Sequence, residues 1–252
     1  MYPNTNVRTF PFRTSTLDVS NIINQRVQLV RGFPMFSEIA LEDCAKIVVS
    51  AQERNFERGK AIFFQGDTVQ QVLLLTTGSV KLSQFSPDGQ EVILRLIGPG
   101  ENVSAGESCT KCAARCSTAR TLQRSSALVW EAKTFEAVAE RFPILRRNIG
   151  HDLQRLMNQL EERYLEICTQ KVAPRLSSQI VRLLTQVGKR SEGHVEIALS
   201  QRDLAQLTGT TLFTVSRLLS QWEVKGIVKA RREAVMVLDV PGLVELSRAE
   251  DE

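Results

Sequence analysis

The 252-residue chain is poor in several residue types that dedicated chemistry requires, above all histidine. It contains two histidines, His151 and His194, together with two tryptophans and two tyrosines. So few histidines leave little scope for a histidine-based metal or acid–base centre, and no His/Cys/Asp constellation or phosphate-cradling glycine loop is apparent. The sequence therefore does not predict an enzyme.

Long apolar runs are also lacking. No stretch approaches the roughly 18 to 20 apolar residues of a membrane span, so we expect no membrane partner. The first residues are polar and have no hydrophobic core segment, which predicts that no signal peptide is present. A cytoplasmic location follows, and with it the expectation that structural disulfides are uncommon.

Positive charge is modest overall but concentrated towards the C-terminus. The formal net charge is only +4, yet residues 175–232 carry ten basic and four acidic side chains. A segment of this kind can approach a phosphate backbone, and its binding should weaken as salt is added. The charge distribution thus favours a nucleic-acid partner for this part of the chain.

The segment from Leu199 to Leu238 has the pattern of a helix-turn-helix followed by a β wing. Ser200 precedes Asp203 by three residues, a capping-box spacing that begins a helix. Gly209 then supplies the positive φ angle that a tight turn needs. The second helix is predicted to pack an apolar face inwards, formed by Val215, Leu218, Leu219 and Trp222. We expect it to end at Lys225-Gly226, before two short strands.

The opposite side of the second helix carries groups that read base edges. It has a guanidinium, hydroxyls and apolar side chains, on a helix short enough to enter a major groove, so we predict double-stranded DNA as the partner. The predicted DNA-binding residues are Arg217, Ser216, Thr211, Leu212, Phe213, Ser220, Arg202 and Arg231. The alternative is a helical hairpin that only packs within the fold. Cap, turn glycine, helix spacing and basic wing nevertheless occur together in the order that a DNA reader needs.

Two other patterns organise the region before this motif. Short strand-like segments separated by turns run from Gln52 to Trp130, which predicts a sandwich or barrel. A stripe at steps of four and three residues follows and predicts a long helix that pairs with a second copy. The predicted seam consists of Ile149, Leu153, Leu156, Leu160, Tyr164 and Ile167.

A helix packed on its own domain would show a similar stripe. We favour a homodimer, because a helix-turn-helix generally needs a two-fold partner to read the paired half-sites of a pseudo-palindrome. Pro174 is predicted to form a hinge after this helix, since the residue before a proline disfavours helix.

Cysteine is the most unevenly distributed residue type. Three of the five cysteines, Cys109, Cys112 and Cys116, lie within eight residues and beside two basic residues. Thiolates bind zinc and iron–sulfur clusters, and nearby cations lower the pKa of a thiol. The loop is thus a candidate Fe–S or metal site, a thiol–disulfide switch, or an inert loop. Cys44, Cys168 or a ligand from elsewhere would supply a fourth cluster ligand, although singly both are typical of buried packing residues. A haem bound by one of the two histidines is a further alternative.

The order of these patterns, with several short motifs, resembles the CRP/FNR superfamily of bacterial transcription regulators. The resemblance covers roughly residues 30 to 240. Its motifs are Gly59-x5-Gln65-Gly66-Asp67, Gly78-Ser79-Val80-Lys81-Leu82, Pro87-Asp88-Gly89-Gln90-Glu91, Gly98-Pro99-Gly100-Glu101 and Thr214-Val215-Ser216-Arg217-Leu218-Leu219. It implies an α+β fold with an N-terminal cyclic-nucleotide-binding-like β-roll, a long dimerisation helix and a C-terminal winged helix-turn-helix. The implied divisions are a flexible leader at 1–25, a β-roll sensor domain at 26–142, the dimerisation helix at 143–172 and the DNA-binding domain at 173–252.

The resemblance also implies roles for individual residues. Arg217 is expected to contact a guanine and Ser216 to lie at the DNA. Phe213 stands where many family members have glutamate, which implies a relaxed or different base beside that guanine. RNA polymerase is a further implied partner.

The resemblance also bears on which signal controls the protein. Family members that bind a cyclic nucleotide surround its phosphate with a Gly-Glu pair and an Arg-Ser/Thr pair, and the residues at about those places are Gly106, Glu107, Arg115 and Ser117. Leu160 and Glu161 replace the helix hydroxyls that would meet the purine, and the N-terminal cysteines of FNR-type sensors have no counterpart before Cys44.

We therefore expect a redox or gas signal received by the loop from Cys109 to Cys116. The alternatives are a cyclic nucleotide or other small effector in the β-roll, or a nucleotide-binding module without transcriptional output. Arg115 would otherwise be an ordinary solvated loop residue.

Overall fold

The structure, a computed structural model, describes residues 16–104 and 114–248. Its helices are α1 (Thr16–Val30), α2 (Leu41–Val48), α3 (Ala132–Arg141), α4 (Pro143–Thr169), α5 (Val172–Gln186), α6 (Gln201–Thr208), α7 (Leu212–Val224) and α8 (Val240–Arg248), with a 3-10 turn at Pro34–Phe36. Among the helices in these two ranges, none is both long enough and apolar enough to cross a bilayer.

The strands form three antiparallel sheets. They are β1 (Gln52–Phe56), β2 (Ala61–Phe63), β3 (Gln71–Thr77), β4 (Val80–Phe85), β5 (Glu91–Ile97), β6 (Thr118–Thr121), β7 (Ser125–Glu131), β8 (Lys189–Ser191), β9 (His194–Ile197), β10 (Val228–Ala230) and β11 (Val235–Val237). The first half contains the sheets β1-β7-β3 and β2-β6-β4-β5, and the second half contains β10-β11-β9-β8.

The two N-terminal sheets enclose a core of their inward-facing side chains, as the strand spacing predicts. Leu75, Val80, Leu82 and Ile97 are completely buried in this core. The register of β4 against β5 shifts between Leu82 and Ser83, a bulge that bends the hairpin. The result is a roll whose β4–β5 hairpin extends towards the second half of the chain.

Helices cover one side of this roll. Trp130 on β7, Phe36 and Cys44 are buried in a cluster to which α1, α2, α3 and the start of α4 contribute. The expectation of a flexible leader over residues 1–25 is wrong from residue 16 onwards, because α1 begins there. Its Val27 and Val30 are buried in the cluster, and this burial stabilises the helix. Residues 1–15 lie outside the described range.

The long helix α4 ends before the predicted hinge. The chain leaves the helix at Gln170 and Lys171, which have extended backbone angles, and α5 begins at Val172. Pro174 is therefore the third residue of α5 and does not interrupt it, since a proline in the first turn loses no intrahelical hydrogen bond. The break lies at residues 170–171, so the expected boundary between 172 and 173 falls inside α5.

The second half contains a β-hairpin that the sequence patterns did not indicate. Strands β8 and β9 pair through a turn at Glu192-Gly193, and β9 also pairs with β11. His194 is the first residue of β9. The wing is thus the outer part of a four-stranded sheet.

One apolar cluster joins the two halves. Leu176, Leu204, Leu219 and Trp222 of the second half share it with Ile93 and Leu96 of β5. Gly98 allows this close approach, because a Cβ there would lie 2.3 Å from the Gln186 carbonyl oxygen.

Candidate nucleic-acid interface and its link to the roll

The first helix of the candidate interface begins at a capping box. The Ser200 hydroxyl accepts a hydrogen bond from the Asp203 N–H at 3.1 Å, and an Asp203 carboxylate oxygen accepts one from the Ser200 N–H at 3.3 Å. The helix ends at Gly209 in the left-handed region, with φ of 62°. These features confirm the predicted start and turn of α6.

The second helix, α7, has one buried and one exposed face, as the periodicity predicts. Val215, Leu218, Leu219 and Trp222 are buried. Thr211 is the N-cap, and its hydroxyl accepts a hydrogen bond from the Thr214 N–H. The predicted DNA-binding residues lie on the solvent side: Thr211, Leu212, Phe213, Arg217, Ser220, Arg202 and Arg231 are exposed, and Ser216 is half-buried. A guanidinium, hydroxyls and two apolar side chains thus face solvent together, which is the chemistry of base-edge recognition.

The predicted seam on α4 divides into a buried start and an exposed remainder. Ile149 packs against the helical cluster of its own roll, and Leu156 is half-buried. Leu153, Leu160, Tyr164 and Ile167 are exposed, Tyr164 to 70%. Met157 and Leu165 are further exposed apolar side chains of α4.

Lys81 on β4 connects the roll to the helix-turn-helix. Its ammonium lies 2.9 Å from Asp203 on α6 and 3.2 Å from Glu91 on β5. Only 11% of the Lys81 side chain is exposed. Burial opposes ionisation of Glu91, but hydrogen bonds from Ser83 and Lys81 and the Lys81 charge outweigh it, so the pKa of Glu91 lies below its ordinary value. The capping residue of α6 is therefore also an ion-pair partner of the roll.

Arg163 makes the corresponding link from α4. Its guanidinium donates to the backbone carbonyl of Leu94 on β5, and to that of Leu207 on α6 at 2.9 Å. Burial, and then the positive charge of Arg182, lower the pKa of Arg163. Sequence reasoning assigned no role to Lys81 or Arg163, because nothing in a sequence distinguishes a buried cation from a solvated one.

A cleft of about 690 Å³ lies where β5, α4 and α5 meet. Leu94 of β5, Leu160 and Arg163 of α4, and Gln179 and Arg182 of α5 are among its lining residues. Arg115 and Ser117, the candidate effector residues that the structure describes, do not line it. A molecule bound in this cleft would contact roll, long helix and DNA-binding half at once.

Arg115 is a buried residue of the roll, which excludes the reading of a solvated loop residue. Its guanidinium lies 4.1 Å from the centre of the Phe63 ring and donates to the Gln71 carbonyl at 2.5 Å. Ser117 is completely buried two residues further on. Gly106 and Glu107 lie outside the described residues, so the geometry of the four-residue effector set stays a prediction.

The candidate cysteine site falls mostly outside the described range, which omits Cys109 and Cys112. Cys116 is half-buried, and its carbonyl accepts a hydrogen bond from Gln84. Cys44 is almost fully buried, and burial, with the nearby Asp43 charge, raises the pKa of its thiol. Cys168 is exposed on α4, so its interpretation as a buried packing residue is wrong. Residues 16–104 and 114–248 hold no group of three or more His, Cys, Asp or Glu side chains able to bind a metal. Packing, rather than cluster ligation, is the role that fits Cys44.

Comparisons with known families agree with this architecture. The family described as "Cyclic nucleotide-binding domain" matches residues 53–142. The family described as "Crp-like helix-turn-helix domain" matches residues 174–246. The α+β fold with a cyclic-nucleotide-binding-like β-roll, a long connecting helix and a C-terminal winged helix-turn-helix is thereby confirmed.

Curated relatives align along most of their length. The chain is 27% identical over 219 residues to the "Cyclic AMP receptor protein" of Thermus thermophilus, covering 86% of this chain and 98% of that protein. It is 23% identical over 210 residues to the "Transcriptional activator protein FnrA" of Stutzerimonas stutzeri, covering 82% of this chain and 83% of that protein.

Solved structures share the fold. FixK2 from Bradyrhizobium japonicum is 20% identical, with a TM-score of 0.68 over 80% of this chain and 99% of its own. A transcriptional regulator of the CRP/FNR family from Thermus thermophilus is 19% identical, with a TM-score of 0.65 over 79% of this chain and 100% of its own. With both domains matched in this order, the chain belongs to the CRP/FNR superfamily and is a transcription regulator, not an enzyme, with a DNA-binding helix-turn-helix.

Proposed function

We propose that the chain acts as a homodimer that reads a pseudo-palindromic site in double-stranded DNA. The observation that supports the proposal is the presence of two exposed faces on one chain: the solvent-facing side of α7, with its guanidinium and hydroxyls, and the apolar seam of α4. Burying an apolar seam against a second copy is favourable, at roughly 25 cal/mol per Å² removed from water. Pairing along α4 would present α7 twice, which a site with two-fold symmetry requires.

The seam is tested by introducing charge into it. Tyr164→Glu should shift the protein from dimer to monomer in light scattering coupled to size-exclusion chromatography, because a carboxylate cannot be buried unpaired in an apolar interface. Asn158→Glu, an exposed position on another side of α4, should leave the mass unchanged. If the parent protein is monomeric, the proposed dimer is wrong.

The DNA contact is tested at Arg217. A bidentate contact to guanine is worth about 1–3 kcal/mol, so Arg217→Ala should weaken binding to the selected site by about fivefold or more. Arg146→Ala removes another exposed cation, from the start of α4, and should bind DNA as the parent does. Footprints without an inverted repeat, or unchanged binding by Arg217→Ala, would contradict the proposal.

We further propose that the loop containing Cys109, Cys112 and Cys116 receives a redox or gas signal. Cys116 supports this, because it is partly accessible and adjoins the buried Arg115. Closing a disulfide between two of these thiols would transfer two electrons to an oxidised low-molecular-weight disulfide, with release of two thiols from that oxidant. An Fe–S or metal site would instead need a ligand besides these three.

Coupling to DNA binding would be a shift between two dimer geometries. The signal must favour one geometry over the other, because a ligand of equal affinity for both shifts nothing. Contacts of β5 and Glu101 with Arg155 and Arg163 on α4 offer a route from roll to long helix. The break at residues 170–171 would let α7 change its spacing relative to the partner copy.

The redox signal is tested by anaerobic purification with absorbance spectroscopy and metal analysis, followed by DNA binding under reducing and oxidising conditions. The parent should lose or gain affinity with oxidation, and a Cys109/Cys112/Cys116→Ser variant should not respond. A colourless, metal-free protein whose triple variant responds like the parent would refute this signal.

A small effector bound in the roll is the second candidate. The observation that favours it is the burial of Arg115 and Ser117, a guanidinium and a hydroxyl of the kind that bind a phosphate. Titration calorimetry with cyclic AMP should then detect binding that Arg115→Ala abolishes. Arg124→Ala removes an exposed arginine of the roll and serves as the control. Absence of heat with cyclic AMP and cyclic GMP would refute the cyclic-nucleotide version.

RNA polymerase is the remaining proposed partner. Activation of transcription requires contact with it, whereas repression requires only occupancy of the site. Run-off transcription with purified polymerase on a promoter carrying the selected repeat would distinguish the two: more transcript supports the contact, and unchanged or reduced transcript contradicts it.

A further inference from the structure

The first turn of α7 exposes two apolar side chains at the end of the helix that enters the groove. Phe213 is 77% exposed and Leu212 is 46% exposed. The hydroxyls of the same turn are already engaged, because Thr211 Oγ1 and Thr214 Oγ1 lie 2.9 Å apart and Thr211 also caps the helix. The groups that this turn leaves for a ligand are therefore mainly hydrocarbon.

Phe213 shares its helix face with Arg217. Residues four apart in a helix lie on one face, with Cβ atoms about 5–6 Å apart. Arg217 is exposed, so any base edge that its guanidinium contacts lies close to the Phe213 ring.

The surroundings of this face favour DNA over an apolar protein partner. Exposed cations lie on α6, α7 and the wing: Arg202, Arg217, Lys225, Lys229, Arg231 and Arg232. Such a ring of charge complements phosphates on both sides of a groove. Within the major groove the apolar group on the base edges is the C5-methyl of thymine.

We propose that Phe213 is a specificity-determining residue that selects thymine through its C5-methyl group, beside the guanine contacted by Arg217. Four residues of helix span about 6 Å, and base pairs are stacked about 3.4 Å apart. The selected thymine therefore lies within two base pairs of that guanine. This inference rests on the proposed DNA-binding function and specifies the half-site it reads.

The test begins with selection from a randomised duplex library by the full-length protein. The selected inverted repeat should contain a guanine with a thymine no more than two base pairs away. That thymine is then replaced by uracil, which removes the methyl and keeps every hydrogen-bonding group. Affinity should fall about fourfold, the equivalent of burying one methyl-sized group. Cytosine and 5-methylcytosine duplexes should differ in the same direction.

Two variants connect the methyl effect to Phe213. Phe213→Ala should bind the thymine and uracil duplexes equally and should fold normally, because the ring it removes is exposed. Phe85→Ala removes another exposed phenylalanine, at the end of β4 and 52% exposed, and should keep the fourfold discrimination.

The outcomes distinguish a failure of the proposed DNA-binding function from a failure of the inference about Phe213. If no repeat is selected, the proposed DNA-binding function fails. If a repeat with guanine is selected but uracil binds as well as thymine, or Phe213→Ala still discriminates, Phe213 does not select thymine. If Phe213→Ala changes the oligomeric mass and leaves discrimination intact, the ring contacts protein, and the inference is wrong.

Discussion

Replacing Lys81 with methionine tests whether the ion pairs between roll and helix-turn-helix hold the two halves together. Methionine keeps an unbranched side chain of similar length, so packing of the stem is retained and the charge is lost. The carboxylates of Glu91 and Asp203 would then face each other in a site where their side chains are only 24% and 15% exposed.

The expected loss of stability follows from the distances and the burial. At about 3 Å and an effective dielectric constant of about 20, the Coulomb attraction of one such pair is about 5 kcal/mol. Desolvation of the three groups offsets much of it, and removing one member of a buried pair typically costs about 3–5 kcal/mol. Because these groups retain some exposure, we expect Lys81→Met to lower the free energy of unfolding by about 2–3 kcal/mol.

The chain contains a matched control in Lys46 on α2. Its ammonium lies 2.7 Å from Asp43, closer than Lys81 to Asp203, but the two side chains are 51% and 37% exposed. Exposed pairs three residues apart on a helix contribute roughly 0.5 kcal/mol or less. Lys46→Met should therefore change stability little, although it breaks the shorter contact.

Urea unfolding, followed by circular dichroism and tryptophan emission, measures both variants. A double-mutant cycle with Asp203→Asn isolates the pair from the capping function of Asp203, with an expected coupling of about 1–2 kcal/mol. Equal effects of Lys81→Met and Lys46→Met, or a coupling below about 0.3 kcal/mol, would refute the reasoning that burial and not distance sets the strength of these pairs.

Three further results are expected. Leu219→Ala, at a completely buried position, should lower the free energy of unfolding in urea by about 2–5 kcal/mol, whereas Leu212→Ala at an exposed position should change it by less than about 1 kcal/mol. The folded-state pKa of Glu91 is depressed, so its stabilisation is present above the ordinary glutamate pKa and lost as pH falls through the depressed value; thermal melting below about pH 4 should therefore fall more steeply for the parent than for Glu91→Gln. Two single-cysteine variants, one retaining only Cys168 and the other only Cys44, can be compared in their reaction with Ellman's reagent at pH 7. The exposed Cys168 should react roughly a hundredfold faster than Cys44, because the Cys44 thiol is buried and its pKa is raised. Equal rates would contradict the burial of Cys44.

The local features of the DNA-binding half were predictable because they depend on residues close together in sequence. The Ser200–Asp203 cap, the Gly209 turn and the inward face of α7 each follow from spacings of three or four residues and from one backbone preference. The β8–β9 hairpin was missed although a signal exists: Gly193 has φ of 76°, and a glycine after Glu192 between short segments is typical of a hairpin turn.

The N-terminal boundary was placed too late for a similar reason. A polar composition suggested a leader, but the spacing of Ile23, Val27 and Val30 is that of one helix face. That apolar face stabilises the helix only when it packs against the roll, where Val27 and Val30 are buried. At Pro174 the sequence predicted a break in the helix where the structure has none. A proline in the first turn of a helix is tolerated, because the backbone N–H it lacks would have no partner within the helix.

The order of the units, the capped helix pair and the alternation of buried and exposed side chains follow from the amino-acid order, because local periodicity and backbone preference set them. Three features required the folded chain: β5 shares a core with the DNA-binding half, Lys81 and Arg163 lie half-buried between the halves, and Arg115 lies inside the roll. Whether a cation is solvated or enclosed depends on which distant surfaces pack around it, and the Lys81–Asp203 pair joins residues more than a hundred positions apart.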